Sequence, residues 1–339
     1  MSTRRTGLGA GAEFRRIESL LASAGAPVGD AVIVGPGDDA AVIATPAGER
    51  LVLSCDLSIE GVHFRREWLS WEAIGWRAAA SALSDLAAMG ARPLGALLAL
   101  AIAPELDAAV SDALARGVGD CLRRFGAPLL GGDLARSPGP AFLDVVVAGA
   151  AARPIRRGGA GAGDELWVTG RLGGAAAAAA ALGAGLEPDP RALRSFERPS
   201  PRLPEIAWLA PRAEITAAID LSDGLAGDAG HVAAASGARV VLDVDAIPLH
   251  PVLEEWPDRE AAVRLAVSGG EDYELLLAAA PGAIEAVAAA FASRLGIPLT
   301  RLGRVEDGEG VAWVDGKGAP VRSPFRGFDH FAADGRGSP

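Results

Sequence analysis

Val34-Gly35-Pro36-Gly37-Asp38-Asp39-Ala40 is a short glycine–proline turn that opens onto two adjacent carboxylates and then returns to apolar sequence. Similar acid-bearing stretches recur downstream: Ser54-Cys55-Asp56, Ser84-Asp85, Gly131-Gly132-Asp133, Asp220-Leu221-Ser222-Asp223 and Gly269-Gly270-Glu271-Asp272. Any one of them has a plain structural explanation, because Asp hydrogen-bonds its own backbone in turns. Their recurrence, the pairs Asp38-Asp39 and Asp220/Asp223, and the lack of Lys or Arg beside them ask for more. Two close carboxylates are costly to ionise together unless a cation lies between them. Scattered aspartates without His or Cys ligands fit magnesium, which takes hard oxygen donors and phosphate oxygens, rather than zinc.

Reading outward, the acids fall between short apolar runs. Phe14, Ile17, Leu20 and Leu21 recur at helical spacing. Ala40–Ile43 and Leu51–Leu53 read as strands joined by a turn at Pro46-Ala47-Gly48, the second delivering Asp56 at its end. A helix is expected from about Trp71 to Met89, rich in small residues and stopped by Gly90. Leu94–Ile102 reads as a strand, and Val110, Leu114, Val118, Cys121 and Phe125 mark an amphipathic helix. Gly131-Gly132-Asp133 reads as another strand-end turn, followed by a strand over Phe142–Val147. Around Ala151–Gly163 glycines and Arg153, Arg156 and Arg157 replace apolar periodicity, which places a domain boundary there. Beyond it come a strand at Glu165–Thr169, an alanine-rich helix after Gly173-Gly174, and a proline-punctuated helix entry at Pro199–Pro204. Ile219–Leu225 is a strand breaking into a turn and then a helix, followed by strands at Val240–Val244 and Tyr273–Leu277. Each half mixes helices and strands, so the fold class is α/β (α+β) with two domains of related build, residues 1–150 and 151–339, and a cleft between them.

The bulk numbers agree. A chain of 339 residues, half apolar and 22% charged, is globular and long for one domain. A net charge of −11 argues against nucleic acid as a partner. Two distant cysteines, Cys55 and Cys121, give no disulfide framework. Met1-Ser2-Thr3-Arg4-Arg5 has no apolar core behind it, and the apolar runs are too short or too alanine-rich to span a membrane. A cytoplasmic protein with no membrane partner is expected.

The usual nucleotide motifs are missing: there is no G-x-x-x-x-G-K-[ST] and no protein-kinase set. Gly170-x-x-Gly173-Gly174 opens a helix whose amides can cradle an anion or simply pack closely. Arg156 and Arg157 can meet a phosphate or sit in a solvated loop. Ser222, His63 and Asp56 make a triad on paper, but no nucleophile elbow supports it.

Taken in order, Gly35-Pro36-Gly37-Asp38-Asp39-Ala40, Ser54-Cys55-Asp56, Gly61-Val62-His63-Phe64, Leu83–Gly90, Gly131-Gly132-Asp133, Asp220–Leu225 and Ser268–Leu275 resemble the thiamine-monophosphate kinase family of the aminoimidazole-ribonucleotide-synthetase-like superfamily. The resemblance runs from Glu13-Phe14 to Gly327–Phe331. It implies a two-domain fold of that superfamily, with the N-terminal domain binding magnesium and ATP and forming a homodimer. The C-terminal domain would pack beside it and complete the nucleotide and substrate site. The implied reaction is ATP-dependent phosphorylation of thiamine monophosphate to thiamine diphosphate. The implied magnesium (Mg2+) ligands are Asp39, Ser54, Cys55, Asp56, Asp85, Asp133, Asp220 and Asp223. Gly132, Asp133, Arg157 and Ser222 would contact ATP; His63, Glu271 and Phe328 would contact thiamine monophosphate. The family usually has Thr where Cys55 stands, so a hydroxyl ligand would be lost there and a carbonyl ligand kept.

No catalytic general base is expected, because the acceptor phosphate has a second pKa near ~6 and is mostly ionised at neutral pH. The alternatives are a purine-synthesis relative of the same superfamily and a non-catalytic magnesium–nucleotide binder. His63 and Glu271, as acceptor residues, favour the kinase over both.

Overall fold

A computed structural model describes residues 19–25, 32–34, 42–103, 106, 108–321 and 325–327. The Gly35–Ala40 turn with Asp39, the residues Phe14 and Ile17, and Phe328 lie outside the described residues. The chain divides into two compact units, residues 1–86 with 91–154, and residues 87–90 with 155–339.

In the first unit β1 (Val32–Val34) pairs antiparallel with β2 (Val42–Ile43). The turn at Pro46–Gly48 is present, with Glu49 N donating to Pro46 O at 3.2 Å. The strand after it, however, pairs elsewhere. β3 (Arg50–Ile59), β4 (Arg92–Ile102), β5 (Leu129–Arg136) and β6 (Phe142–Ala151) form a four-stranded sheet in the order β3-β6-β4-β5. The β4–β5 pair is parallel and the other pairs are antiparallel.

Period-two alternation assigns the two faces of this sheet. Leu98, Leu100, Leu143, Val145 and Val147 are buried, as are Leu83 and Leu86 of α1 (Trp71–Ala88). A Cβ on Gly149 of β6 would come within 2.9 Å of the Leu86 side chain, so α1 covers that face. α1 also lies against α2 (Ala108–Arg124) with almost no room between them. A Cβ on Gly75 would sit 2.1 Å from the Leu114 carbonyl oxygen, and one on Gly117 would sit 2.0 Å from that of Glu72. Only glycine permits such an approach. Among the described residues the opposite sheet face is open: Leu51, Leu53 and Leu57 are 48%, 62% and 44% exposed, with Leu97 and Phe142 on the same face.

The second unit is built on a six-stranded sheet, order β12-β9-β11-β7-β10-β8. Its strands are β7 (Glu165–Thr169), β8 (Ile215–Asp220), β9 (Arg239–Asp243), β10 (Leu275–Ala279), β11 (Leu299–Glu306) and β12 (Gly310–Val314). β7 and β10 are buried at every position. The helices are α3 (Gly174–Gly183), α4 (Pro190–Glu197), α5 (Leu203–Leu209), α6 (Leu225–Ser236), α7 (Pro251–Glu254), α8 (Arg259–Ser268) and α9 (Glu285–Leu295). α4 has Asp189 as its N-cap, accepting from Arg191 N, and Pro190 in its first turn.

The glycine-rich stretch after residue 155 reads as a solvated linker but is a packed segment. Ala218 N of β8 donates to Arg156 O at 3.1 Å, and Gly159 N and Ala160 N both donate to Ser236 Oγ at 3.2 Å. A Cβ on Gly158 would meet the Ala235 carbonyl oxygen at 2.5 Å, which is why the segment lacks side chains there. Among the described residues no helix is long and apolar enough to cross a membrane.

Candidate active site

The register of the second sheet brings two of the acid-bearing stretches together. β10 runs antiparallel to β8 with Leu275 opposite Asp220, so the loop entering β10 lies beside the turn leaving β8. Three backbone bonds join them: Leu221 N to Glu274 O at 2.8 Å, Glu271 N to Ser222 O at 2.8 Å, and Tyr273 N to Leu221 O at 2.9 Å. A Cβ on Gly270 would fall 2.3 Å from the Ser222 carbonyl oxygen, so the loop can close only with glycine there. Glu271 and Tyr273 both have positive φ, 70° and 50°. A side-chain-bearing residue pays a steric penalty in that region, so the surrounding contacts must impose it.

On the other side of the turn, Asp220 is buried at the end of β8, and Asp223 leads into α6. Asp223 N donates to Asp228 Oδ2 at 3.2 Å. One turn along α6 from Asp228 stands His231, and ligand atoms of Asp223, Asp228 and His231 lie within 4.8 Å of one another. Burial pushes the Asp228 carboxyl up to about 8, with Asp220 and then Asp223 adding to the rise; the Asp223 backbone amide and Arg157 oppose it. Arg157 is thus within electrostatic reach of Asp228. Gly327 also approaches here: a Cβ on it would lie 2.5 Å from Gly227 Cα and 3.3 Å from Asp223 O.

The donor chemistry of this cluster fits a divalent cation. Crowded carboxylates hold protons they would otherwise lose, and a hard cation relieves that repulsion with oxygen donors. His231 adds an imidazole at the rim, a ligand that magnesium does not require. Asp228 and His231 escaped the sequence reading. Their signal was the spacing Asp228-x-x-His231 on a helix that starts just after Asp223, which puts both side chains on one face.

In the first unit Ser54 Oγ donates to Asp85 Oδ2, linking β3 to α1. Asp56 follows on the same side of β3, and its charge, after burial, raises the Asp144 carboxyl. The Asp144 Oδ1 atom is buried without a hydrogen bond among the described residues. Cys55 is exposed and alternates to the opposite, open face, so its thiol points away from Ser54 and Asp56. The expectation that Asp56 and Asp133 sit at strand ends is corrected: both lie inside strands, β3 and β5. Gly132 lets β5 continue, since a Cβ there would fall 1.8 Å from the Leu98 carbonyl oxygen. Asp133 is exposed and accepts from Leu134 N at 2.9 Å. His63 lies in the turn after β3, its Nδ1 accepting from Ile59 N at 3.0 Å, which leaves the hydrogen on Nε2.

Residues 37–151 match the AIR synthase related protein N-terminal domain, and residues 161–315 match the AIR synthase related protein C-terminal domain. The chain is 36% identical to the thiamine-monophosphate kinase of Salmonella typhimurium over 310 residues, covering 89% of this chain and 93% of that one. The crystal structure of the thiamine-monophosphate kinase from Stenotrophomonas maltophilia K279a is 37% identical, with a TM-score of 0.79 over 93% of this chain and 98% of that one. A structure described as AaThiL complexed with AMPPCP and TMP is 29% identical, with a TM-score of 0.72 over 85% of this chain and 89% of that one. The chain belongs to the thiamine-monophosphate kinases, phosphotransferases built on the AIR synthase related fold.

Proposed function

We propose that the protein transfers the γ-phosphoryl group of ATP to the phosphate of thiamine monophosphate, giving ADP and thiamine diphosphate. The observation that carries this reading is the bonding of the Glu271 loop to the Asp220–Asp223 turn, with Arg157 in electrostatic reach of Asp228, whose carboxyl accepts from Asp223 N. An acceptor residue and a nucleotide–metal set are thereby held in one local frame. Support also comes from the relative complexed with AMPPCP and TMP.

In this reading Arg157, Ser222, Gly132 and Asp133 position ATP. His63 contacts the acceptor phosphate and Glu271 offers a carboxylate to the cationic thiamine; Phe328 would supply an aromatic face. Magnesium would be held by Asp39, Ser54, Asp56, Asp85, Asp133, Asp220 and Asp223, with the Cys55 carbonyl and the Asp228 carboxylate as further oxygen donors. Bound there, magnesium supplies the positive charge that lets two anionic reactants approach. A terminal oxygen of the acceptor phosphate forms the new P–O bond in line as the bond from the γ-phosphorus to the bridging oxygen breaks, and ADP leaves with that electron pair. The acceptor is already ionised, so no side chain need remove a proton. Residues 1–150 would serve magnesium, ATP and dimer formation, and residues 151–339 would complete nucleotide and acceptor binding.

The open face of the first sheet supports a homodimer. Leu51, Leu53, Leu57, Leu97 and Phe142 form an apolar face on a soluble chain, and a second copy would remove it from water. Use of ATP fits the cytoplasm. The test is ADP release with ATP and magnesium, run in parallel with thiamine monophosphate, thiamine and a purine-synthesis intermediate. Turnover with thiamine monophosphate and formation of thiamine diphosphate are expected; turnover with the purine intermediate alone overturns the reading.

A further inference from the structure

α3 begins at Gly173, which as N-cap has no side chain to satisfy the first amides of the helix. The missing acceptor comes from far along the chain. Both oxygens of Asp272 lie 2.9 Å from Gly173 N, and the Gly174 amide also bonds to this carboxyl. Asp272 is therefore a helix cap delivered by another segment. That segment is the loop in which Glu271 and Tyr273, the two residues flanking Asp272, have positive φ.

The rest of the loop is fixed by other groups. Glu274 accepts from Thr169 Oγ1 at 2.6 Å and from Arg202 Nε at 2.6 Å, and Thr169 Oγ1 accepts from Leu275 N at 2.9 Å. These hold the β10 end. On the Glu271 side, the Glu271 N–Ser222 O and Tyr273 N–Leu221 O bonds hold the loop backbone to the β8 turn, and the Asp272 side chain ties it to the start of α3. The amides of Gly173 and Gly174 favour its charged form, but loss of water and the charges of Glu274 and Glu271 outweigh them, so its affinity for a proton rises. A neutral amide with one acceptor oxygen can then do part of the same work.

We propose that Asp272 is a positioning residue for the acceptor: by capping α3 it holds Glu271 in its left-handed conformation, ready before substrate arrives. This rests on the reading of Glu271 as an acceptor contact. A cap that only stabilises α3 would lower stability and leave substrate affinities alone. Asp189, the N-cap of α4, is such a cap and provides the control.

The experiment compares Asp272→Ala, Asp272→Asn, Asp189→Ala and Glu271→Gln with the parent, each confirmed as folded by circular dichroism. KM for thiamine monophosphate, KM for ATP and kcat are measured, together with amide hydrogen exchange of Glu271 and Tyr273 without substrates. In Asp272→Ala the acceptor KM should rise about tenfold and exchange should quicken about tenfold, the scale expected for losing a charge-assisted bond. KM for ATP should stay within about twofold, Asp272→Asn should recover part of the loss, and Asp189→Ala should leave all these values at the parent level. Unchanged acceptor KM in Asp272→Ala, an equal rise in both KM values, or parent-like exchange overturns the proposal. If the Ala variant does not fold, Asp272→Asn decides by the same criteria, with a rise of about threefold in acceptor KM expected. Failure of the Glu271 reading appears separately: Glu271→Gln then keeps the parent acceptor KM while exchange in Asp272→Ala is still faster, which removes the acceptor role and leaves only the cap.

Discussion

Replacing Asp228 by Asn tests the charge arrangement behind Asp223 most directly. Asn keeps an oxygen to accept from Asp223 N, so the turn into α6 retains its bond while the titration disappears. In the folded chain the Asp228 carboxyl is raised from 3.8 to about 8. The folded state therefore keeps a proton that the unfolded state has lost between roughly pH 4 and pH 8. Stability must fall as pH rises through that window, be fully reduced above it, and be unaffected below it. At roughly 1.36 kcal/mol for each tenfold change in proton affinity the ceiling is about 6 kcal/mol. Part of the rise comes from the charges of Asp220 and Asp223, whose repulsion a carboxylate at 228 shares with solvent, so about 2–3 kcal/mol is the expected measurable part. For a unit of this size that is about 5–10 °C in Tm. Thermal melts at pH 5 and pH 9, in chelator and in magnesium, read it out. In chelator the parent should lose more stability than Asp228→Asn between the two pH values. At pH 9 magnesium should return more stability to the parent than to the variant, because binding to the folded state adds to its stability. Parallel curves for the two proteins, or equal magnesium shifts, would refute the reasoning.

Two further outcomes are expected. Arg157→Ala should raise the apparent KM for ATP about tenfold, the scale of a lost charge-assisted phosphate contact, with little change for thiamine monophosphate; an unaltered ATP value would make Arg157 a bystander. Leu53→Glu places a charge at the most exposed leucine of the open sheet face, 62% accessible, and should shift sedimentation from dimer to monomer while the circular dichroism stays the same; a dimer that persists would mean that copies meet elsewhere.

Much of the fold can be read directly from the chain, and the misreadings have physical causes. The small-residue helix at Trp71–Ala88 was legible because alanine runs and a following glycine leave few alternatives. Asp56 and Asp133 were expected at strand ends because a polar residue after an apolar run usually marks where burial stops. β3 instead carries Ser54 and Asp56 inside the strand, and the alternation of exposed leucines on either side of them, Leu51, Leu53 and Leu57, was the available clue. The packed glycine segment at Gly158-Gly159 looked like a linker because the absence of side chains marks both flexible chain and very close packing; a sequence cannot tell these apart. Asp228 and His231 are hidden in the sequence because they lie within a helix, where acids and histidines are ordinary surface residues, and not in one of the acid-bearing turns. The nearness of Asp220–Asp223 to Glu271 depends on strand order, a long-range property that local pattern does not encode.

The touching backbones of Gly75 and Gly117 have an evolutionary consequence. Every amino acid that a single base change can put in place of glycine is bulkier, so each missense change at either codon drives a carbon into a carbonyl oxygen of the facing helix. No compensating trim is open to the neighbour, because the obstructing atoms are main chain. Genetic drift at these two codons is therefore confined to silent changes, and a saturation library should return them among the least permissive positions of the two helices.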